Sequence, residues 1–153
     1  MSERTKRIMD EFNKLKNSRV IPIVKCEFIN GDINNWKVSF KGSSCSPYED
    51  GIFELKVNLP NDYPDKRPWL YFITKMFHPN IQQSDGKVSI TLLYNWVKTL
   101  TIEEVINGFI QVMEEPEVGP GYGEEPQKLL EKDRDAFFEK VEEYTMKYAM
   151  NNF

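Results

Sequence analysis

In the stretch GIFELKVNLP, Phe53, Leu55, Val57 and Leu59 alternate strictly with charged or polar residues. A period of two places these four side chains on one face of an extended chain, so the stretch predicts a β-strand with one face in a core. Two further β-rich runs precede it, VIPIVKCEFI and NNWKVSFKG, broken by NGD and SSCSPYEDG. Connections that short join antiparallel neighbours, and PWLYFIT, after a proline-rich turn, supplies a fourth strand to the meander. Helices flank the sheet. Ile8, Phe12 and Leu15 recur at i, i+4 and i+7, with the basic residues off the apolar stripe. Thr101 and Glu104 form a Thr-x-x-Glu capping box, and Ile102, Val105, Ile106, Phe109, Ile110 and Met113 give the helix after it an apolar surface over most of its circumference, which predicts burial. Glycines and prolines between Pro116 and Pro126 break the chain, and Phe137, Val141, Tyr144 and Tyr148 predict a long C-terminal amphipathic helix. The fold class is α+β: an N-terminal helix, a four-stranded antiparallel meander, then C-terminal helices.

A length of 153 residues fits one domain, 1–153, with room for a real core. With 40% hydrophobic and 13% aromatic residues the chain is globular rather than disordered. MSERTKRIMDEFNKLKNS is charged throughout, which predicts neither a signal peptide nor a membrane span; a soluble intracellular protein, cytoplasmic and/or nuclear, is the expectation. A net charge of −4 argues against dedicated nucleic-acid binding, and the basic cluster is only Arg4, Lys6 and Arg7. Cys26 and Cys45 cannot build a disulfide framework, and a single histidine leaves no metal-ligand set. Both cysteines are expected as small core residues, and no cofactor or metal is expected.

The segment FHPNIQQSDGKVSITLLYNW carries the chemistry. His78, Pro79 and Asn80 precede a polar turn ending in Gly86, and an alternating run, Val88, Ser89, Ile90, Thr91, Leu92, follows where a nucleophile would stand. A serine is there, with no cysteine nearby.

Several features together resemble the ubiquitin-conjugating enzymes and their inactive variants. SPYEDGIFELKVNLPNDYP is similar to that family's Ser-Pro-Tyr-x-x-Gly-x-Phe strand entry and Tyr-Pro-x-x-x-Pro turn (Tyr63, Pro64, Pro68). KMFHPNI, Trp96, the ending EEYTMKYA, and the spacing from Glu115-Pro116 to Lys132-Asp133-Arg134 extend the likeness over nearly the whole chain. The resemblance implies a thioester with the C-terminus of ubiquitin or a ubiquitin-like protein on a cysteine a few residues past a glycine. It also implies that Asn80 stabilises an oxyanion or holds the loop that does so, and that His78 is structural. A thiolate is both a good nucleophile and a good leaving group. Ser89 falls on the cysteine position. An ungapped register puts Val88 there instead; Ser89 is preferred because Gly86 ends the turn and the alternation is kept.

Two readings of Ser89 compete. In one, a natural variant without catalysis keeps the fold as a binding module, alone or as a scaffold whose sheet face binds ubiquitin or another partner. In the other, an active enzyme has had its cysteine replaced by serine. Thr91 stands where the family often has Asp, Trp96-Val97-Lys98-Thr99 replaces Trp-x-Pro-Ala, and Val118, Gly119, Pro120 and Gly121 stand where acidic residues often gate the site. These departures favour the natural variant; the intact His78-Pro79-Asn80 favours the other. A serine-hydrolase site lacks a triad. Asn80 also has a plain reading as a turn residue bonding nearby backbone.

The resemblance further implies partners. The first helix would meet an activating enzyme through Arg4, Lys6 and Arg7, unless these are simply a solvated basic end. Asp65 and Lys98 occupy positions where ligases usually grip apolar residues, so any ligase would be of an unusual type.

Overall fold

The computed structural model describes residues 1–120 and 122–150. Helix α1 (Glu3–Lys16) opens the chain, capped by Ser2, whose hydroxyl accepts from the Thr5 N–H at 3.0 Å. Glu3 in its first turn and Lys14 and Lys16 in its last oppose the helix dipole. Ile8, Phe12 and Leu15 are buried, each contributing about 1.5–3 kcal/mol by leaving water.

Strands β1 (Ile23–Ile29), β2 (Asp32–Lys41), β3 (Ile52–Asn58) and β4 (Trp69–Phe72) follow as an antiparallel sheet in the order β1-β2-β3-β4. Register explains the alternation read from the sequence. Cys26, Val38, Leu55 and Phe72 stand opposite one another across the sheet, as do Phe28, Trp36, Val57 and Leu70. These rows form the inner face. Helix α1 packs against β1 and β2, with Phe12 stacked on Phe28 at 4.0 Å between centroids and edge-on to Trp36 at 5.4 Å.

Helix α3 (Ile102–Glu114) closes the core, its Phe109 ring 5.1 Å from Phe72. The capping box is formed: Thr101 accepts from the Glu104 N–H and Glu104 accepts from the Thr101 N–H. Glu11 of α1 also serves this helix end, accepting the Ile102 N–H at 2.8 Å, while its other oxygen accepts from Tyr63 at 2.6 Å and Arg7 at 2.9 Å. A buried carboxylate is tolerable because every oxygen has donors.

Four features depart from the sequence reading, three in the helices and one at Cys45. Thr91–Tyr94 is a short helix, α2, so the alternation after Ser89 ends where a strand reading would continue it. Glu124–Lys132 is helical, α4, although Pro126 suggested a break; in a first turn the missing N–H has no intrahelical partner to lose. The C-terminal helix is α5 (Arg134–Tyr144) followed by a π-helical turn, Thr145–Ala149. At that junction the Thr145 hydroxyl donates back to the Val141 carbonyl at 3.0 Å, a bond that competes with the regular ladder. Cys26 lies in the core as expected, and burial pushes its thiol up to about 12. Cys45 does not: it is exposed on the β2–β3 connection at φ +60°, where the turn back into β3 leaves it no core to face.

Candidate functional site

The segment after Asn80 is laid along the open edge of β4. Phe72 N–H donates to the Gly86 carbonyl at 2.7 Å and Val88 N–H to the Leu70 carbonyl at 2.9 Å, while Tyr71 bridges to Lys87. Gly86 is required for this approach: its φ is +79°, and a Cβ there would lie 2.2 Å from the Phe72 carbonyl oxygen. Pairing to an edge strand fixes which side chains point inward. Val88 and Ile90 are 3% and 1% exposed and belong to the core. Ser89, between them, is half-buried, its N–H donating to the Asn80 carbonyl at 2.8 Å. It lines a cleft of about 560 Å³ with Pro79, Asn80, Lys87, Tyr94 and Tyr122.

His78 and Asn80 organise the floor of that cleft. The fully buried His78 accepts the Asn80 N–H on Nδ1 at 3.0 Å and meets the Val112 carbonyl through Nε2 at 3.0 Å, which assigns the proton to Nε2. Burial pushes its pKa down to about 4, against the raising effect of the bond to Val112. Both ring nitrogens are engaged and the ring is neutral, so His78 cannot serve as a general base for Ser89. Asn80 is 1% exposed. Its Oδ1 accepts the Glu117 N–H at 2.9 Å and its Nδ2 donates to the Glu117 carbonyl at 3.1 Å. The Gly123 N–H donates to the Pro79 carbonyl at 2.9 Å. The triplet thus ties the Ser89 segment to the end of α3 and to the loop beyond it.

A carboxylate that the sequence did not single out stands beside the cleft. Glu117 Oε1 accepts from the Thr91 N–H at 2.8 Å, the Thr91 hydroxyl at 3.1 Å and the Tyr122 hydroxyl at 3.1 Å. Partial burial raises the Tyr122 pKa, and the bond to Glu117 raises it further. The sequence expectation fell on Val118, Gly119, Pro120 and Gly121 rather than on Glu117, which directly follows Glu115-Pro116. Gly119 is pinned by its N–H donating to Gln127 Oε1 at 2.8 Å, and Gly121 lies outside the described residues.

The proposed partner residues divide by environment. Arg4 donates to the Tyr63 and Pro60 carbonyls and to Asn34, and Arg7 donates to Glu11 and to the Lys98 and Leu100 carbonyls. Lys6 alone of the basic trio is exposed. Asp65 and Lys98 are both exposed, on loops joined by Trp96 Nε1 donating to the Pro64 carbonyl at 2.9 Å. Among the described residues no group of three or more His, Cys, Asp or Glu could hold a metal ion, and no helix is long and apolar enough to cross a membrane.

Comparison with known proteins agrees with this architecture. The ubiquitin-conjugating enzyme family profile matches residues 7–145. The chain is 33% identical over 121 residues to ubiquitin conjugating enzyme E2 B of Dictyostelium discoideum, covering 79% of this chain and 82% of that protein. It is 34% identical over 127 residues to ubiquitin-conjugating enzyme E2 6 of Arabidopsis thaliana, covering 82% and 69%. Among solved structures, a Plasmodium yoelii protein described as a ubiquitin conjugating enzyme superposes with a TM-score of 0.83 at 25% identity, over 99% of this chain and 98% of that one. The E2 domain of a Toxoplasma gondii ubiquitin conjugating enzyme gives 0.81 at 26% identity, over 96% and 99%. The profile match over most of its length and the two relatives above 30% identity show that this chain belongs to the ubiquitin-conjugating enzyme family.

Proposed function

We propose that the protein works in the ubiquitin or ubiquitin-like modifier pathway as a conjugating-enzyme fold without thioester chemistry, Ser89 standing where active members carry cysteine. The observation that carries this reading is the inward and outward alternation around the cleft. The Ser89 register presents a cleft-lining side chain, whereas the ungapped register would assign the reacting position to Val88, a core residue. The Cys26 thiol is buried with a raised pKa, and Cys45 belongs to the loop between β2 and β3, so neither replaces the missing nucleophile. A serine hydroxyl needs an adjacent base, and His78 is engaged elsewhere.

The alternative is an active enzyme whose cysteine was replaced by Ser89. What favours it is the completeness of the surroundings: His78, Asn80 and the Glu117 carboxylate form one connected network beside Ser89. Under either reading the partners are ubiquitin or a ubiquitin-like protein and its activating enzyme. Lys6 is the basic residue free to meet that enzyme, and a ligase would face the charged Asp65 and Lys98.

The test is direct. Incubated with activating enzyme, ATP and modifier, the chain yields no adduct that a thiol reductant removes. A reductant-labile adduct that persists when both Cys26 and Cys45 are replaced by alanine would refute the proposal.

A further inference from the structure

Strand register lines up a row of side chains across the outer face of the sheet. Glu27 stands opposite Lys37, Lys37 opposite Lys56, Lys56 opposite Tyr71, and Tyr71 bridges to Lys87. Like charges directly opposite on one face are destabilising, so the Lys37 and Lys56 pair weakens the free protein. Glu54 relieves Lys37, at 3.7 Å. Among the described residues neither Lys56, Arg67 nor Lys87 forms an ion pair.

Aromatic rings hold two of these cations instead. Arg67 lies 4.5 Å and Lys87 4.7 Å from the centroid of one ring, Trp69, and Arg67 is 5.3 Å from the Tyr94 ring. Two positive charges are thereby concentrated at a single indole. Lys87 and Tyr94 also line the Ser89 cleft, so the stripe is continuous with it.

We propose that this stripe docks an acidic segment of a partner polypeptide, its carboxylates on Lys56, Arg67 and Lys87 and its chain leading toward the cleft. Charge complementarity argues for the acidic partner, since three unpaired cations cluster on a chain of net charge −4. The spacing argues for a peptide: Lys56 and Lys87 are two strand separations apart, roughly 10 Å, the rise of about three residues of an extended chain. The inference does not depend on chemistry at Ser89.

Fluorescence anisotropy of a fluorescein-labelled Glu/Asp-rich peptide tests it, with the Gln/Asn counterpart and a labelled single-stranded DNA as comparisons. The acidic peptide binds, more tightly at low salt, and the amide counterpart does not. Lys56→Gln, Arg67→Gln and Lys87→Gln each weaken binding roughly two- to fivefold, and together by about tenfold or more, whereas Lys128→Gln on exposed α4 leaves it unchanged. Lys56→Gln also raises the thermal midpoint by removing the cross-strand repulsion, which shows that its effect on binding is not a folding defect. Equal binding of the amide peptide, or unchanged affinity in the triple variant, would overturn the proposal. So would DNA that binds more tightly than the acidic peptide through the same three residues.

Discussion

The side chain of Asn80 grips both polar atoms of Glu117's backbone, accepting its N–H at 2.9 Å and donating to its carbonyl at 3.1 Å. Such a grip makes Asn80 the hinge pin between the Ser89 segment and the loop that carries the Glu117 carboxylate. Asn80→Ala leaves two backbone groups without their partner, at a cost of about 1–3 kcal/mol, and the thermal midpoint falls by about 2–4 °C per kcal/mol. Differential scanning calorimetry reads this; an unchanged midpoint would remove the clamp from the account.

Glu117 raises the pKa of the Tyr122 phenol through its hydrogen bond and its charge, after the contribution of partial burial. Glu117→Gln removes the charge, so Tyr122 ionises at lower pH than in the parent chain. Ultraviolet titration of the phenolate, with Tyr122→Phe to assign the transition, measures the shift. A Tyr122 transition that stays in place would mean the carboxylate does not face the phenol in solution.

His78 makes stability depend on acid. Its folded pKa, about 4, lies below the ordinary 6.5, so between those values the unfolded chain binds the proton that the folded chain refuses. Stability therefore falls as pH drops through that window, with a contribution of up to ~1.4 kcal/mol per pH unit from this residue. Since the chain has a single histidine, one imidazole resonance reports it: in the folded protein it holds its neutral shift well below pH 6.5. A midpoint near 6.5 in the folded state would contradict the buried neutral ring.

Arg7 and Lys6 are neighbours with opposite predicted effects. Arg7→Ala removes donors from buried Glu11 and from the Lys98 and Leu100 carbonyls, and lowers stability by about 1–3 kcal/mol. Lys6→Glu, on the exposed face, changes stability by no more than about 0.5 kcal/mol and weakens association with the activating enzyme, most at low salt. Denaturant melts and binding measured across ionic strength separate the two.

What the sequence made legible was local. The period-two run from Phe53 and the Thr101 and Glu104 capping box each express their physics within a few residues, and both are found in place. Distant pairings were not legible. Glu117 and Thr91 are 26 residues apart, and Arg7 reaches carbonyls 91 and 93 residues away, so no spacing rule could show that the first has a role at the cleft or that the second is spent on loop backbone. Helix α4 was hidden by Pro126, whose composition signal is the same in a first turn as in a break.

Ser89 is proposed to stand at the nucleophile's position of an otherwise formed cleft, and the sharpest probe of that placement is Ser89→Cys. The variant, given activating enzyme, ATP and modifier, is predicted to take the modifier's C-terminal carbonyl from the activating enzyme's thioester onto the new thiol, releasing the enzyme's own thiol. On a non-reducing gel this appears as an adduct that the reductant removes and that the parent chain never shows. A Ser89→Cys protein that folds with the parent's circular dichroism and melting temperature yet is never charged would contradict the formed cleft and leave a non-catalytic binding variant whose divergence reaches beyond the nucleophile.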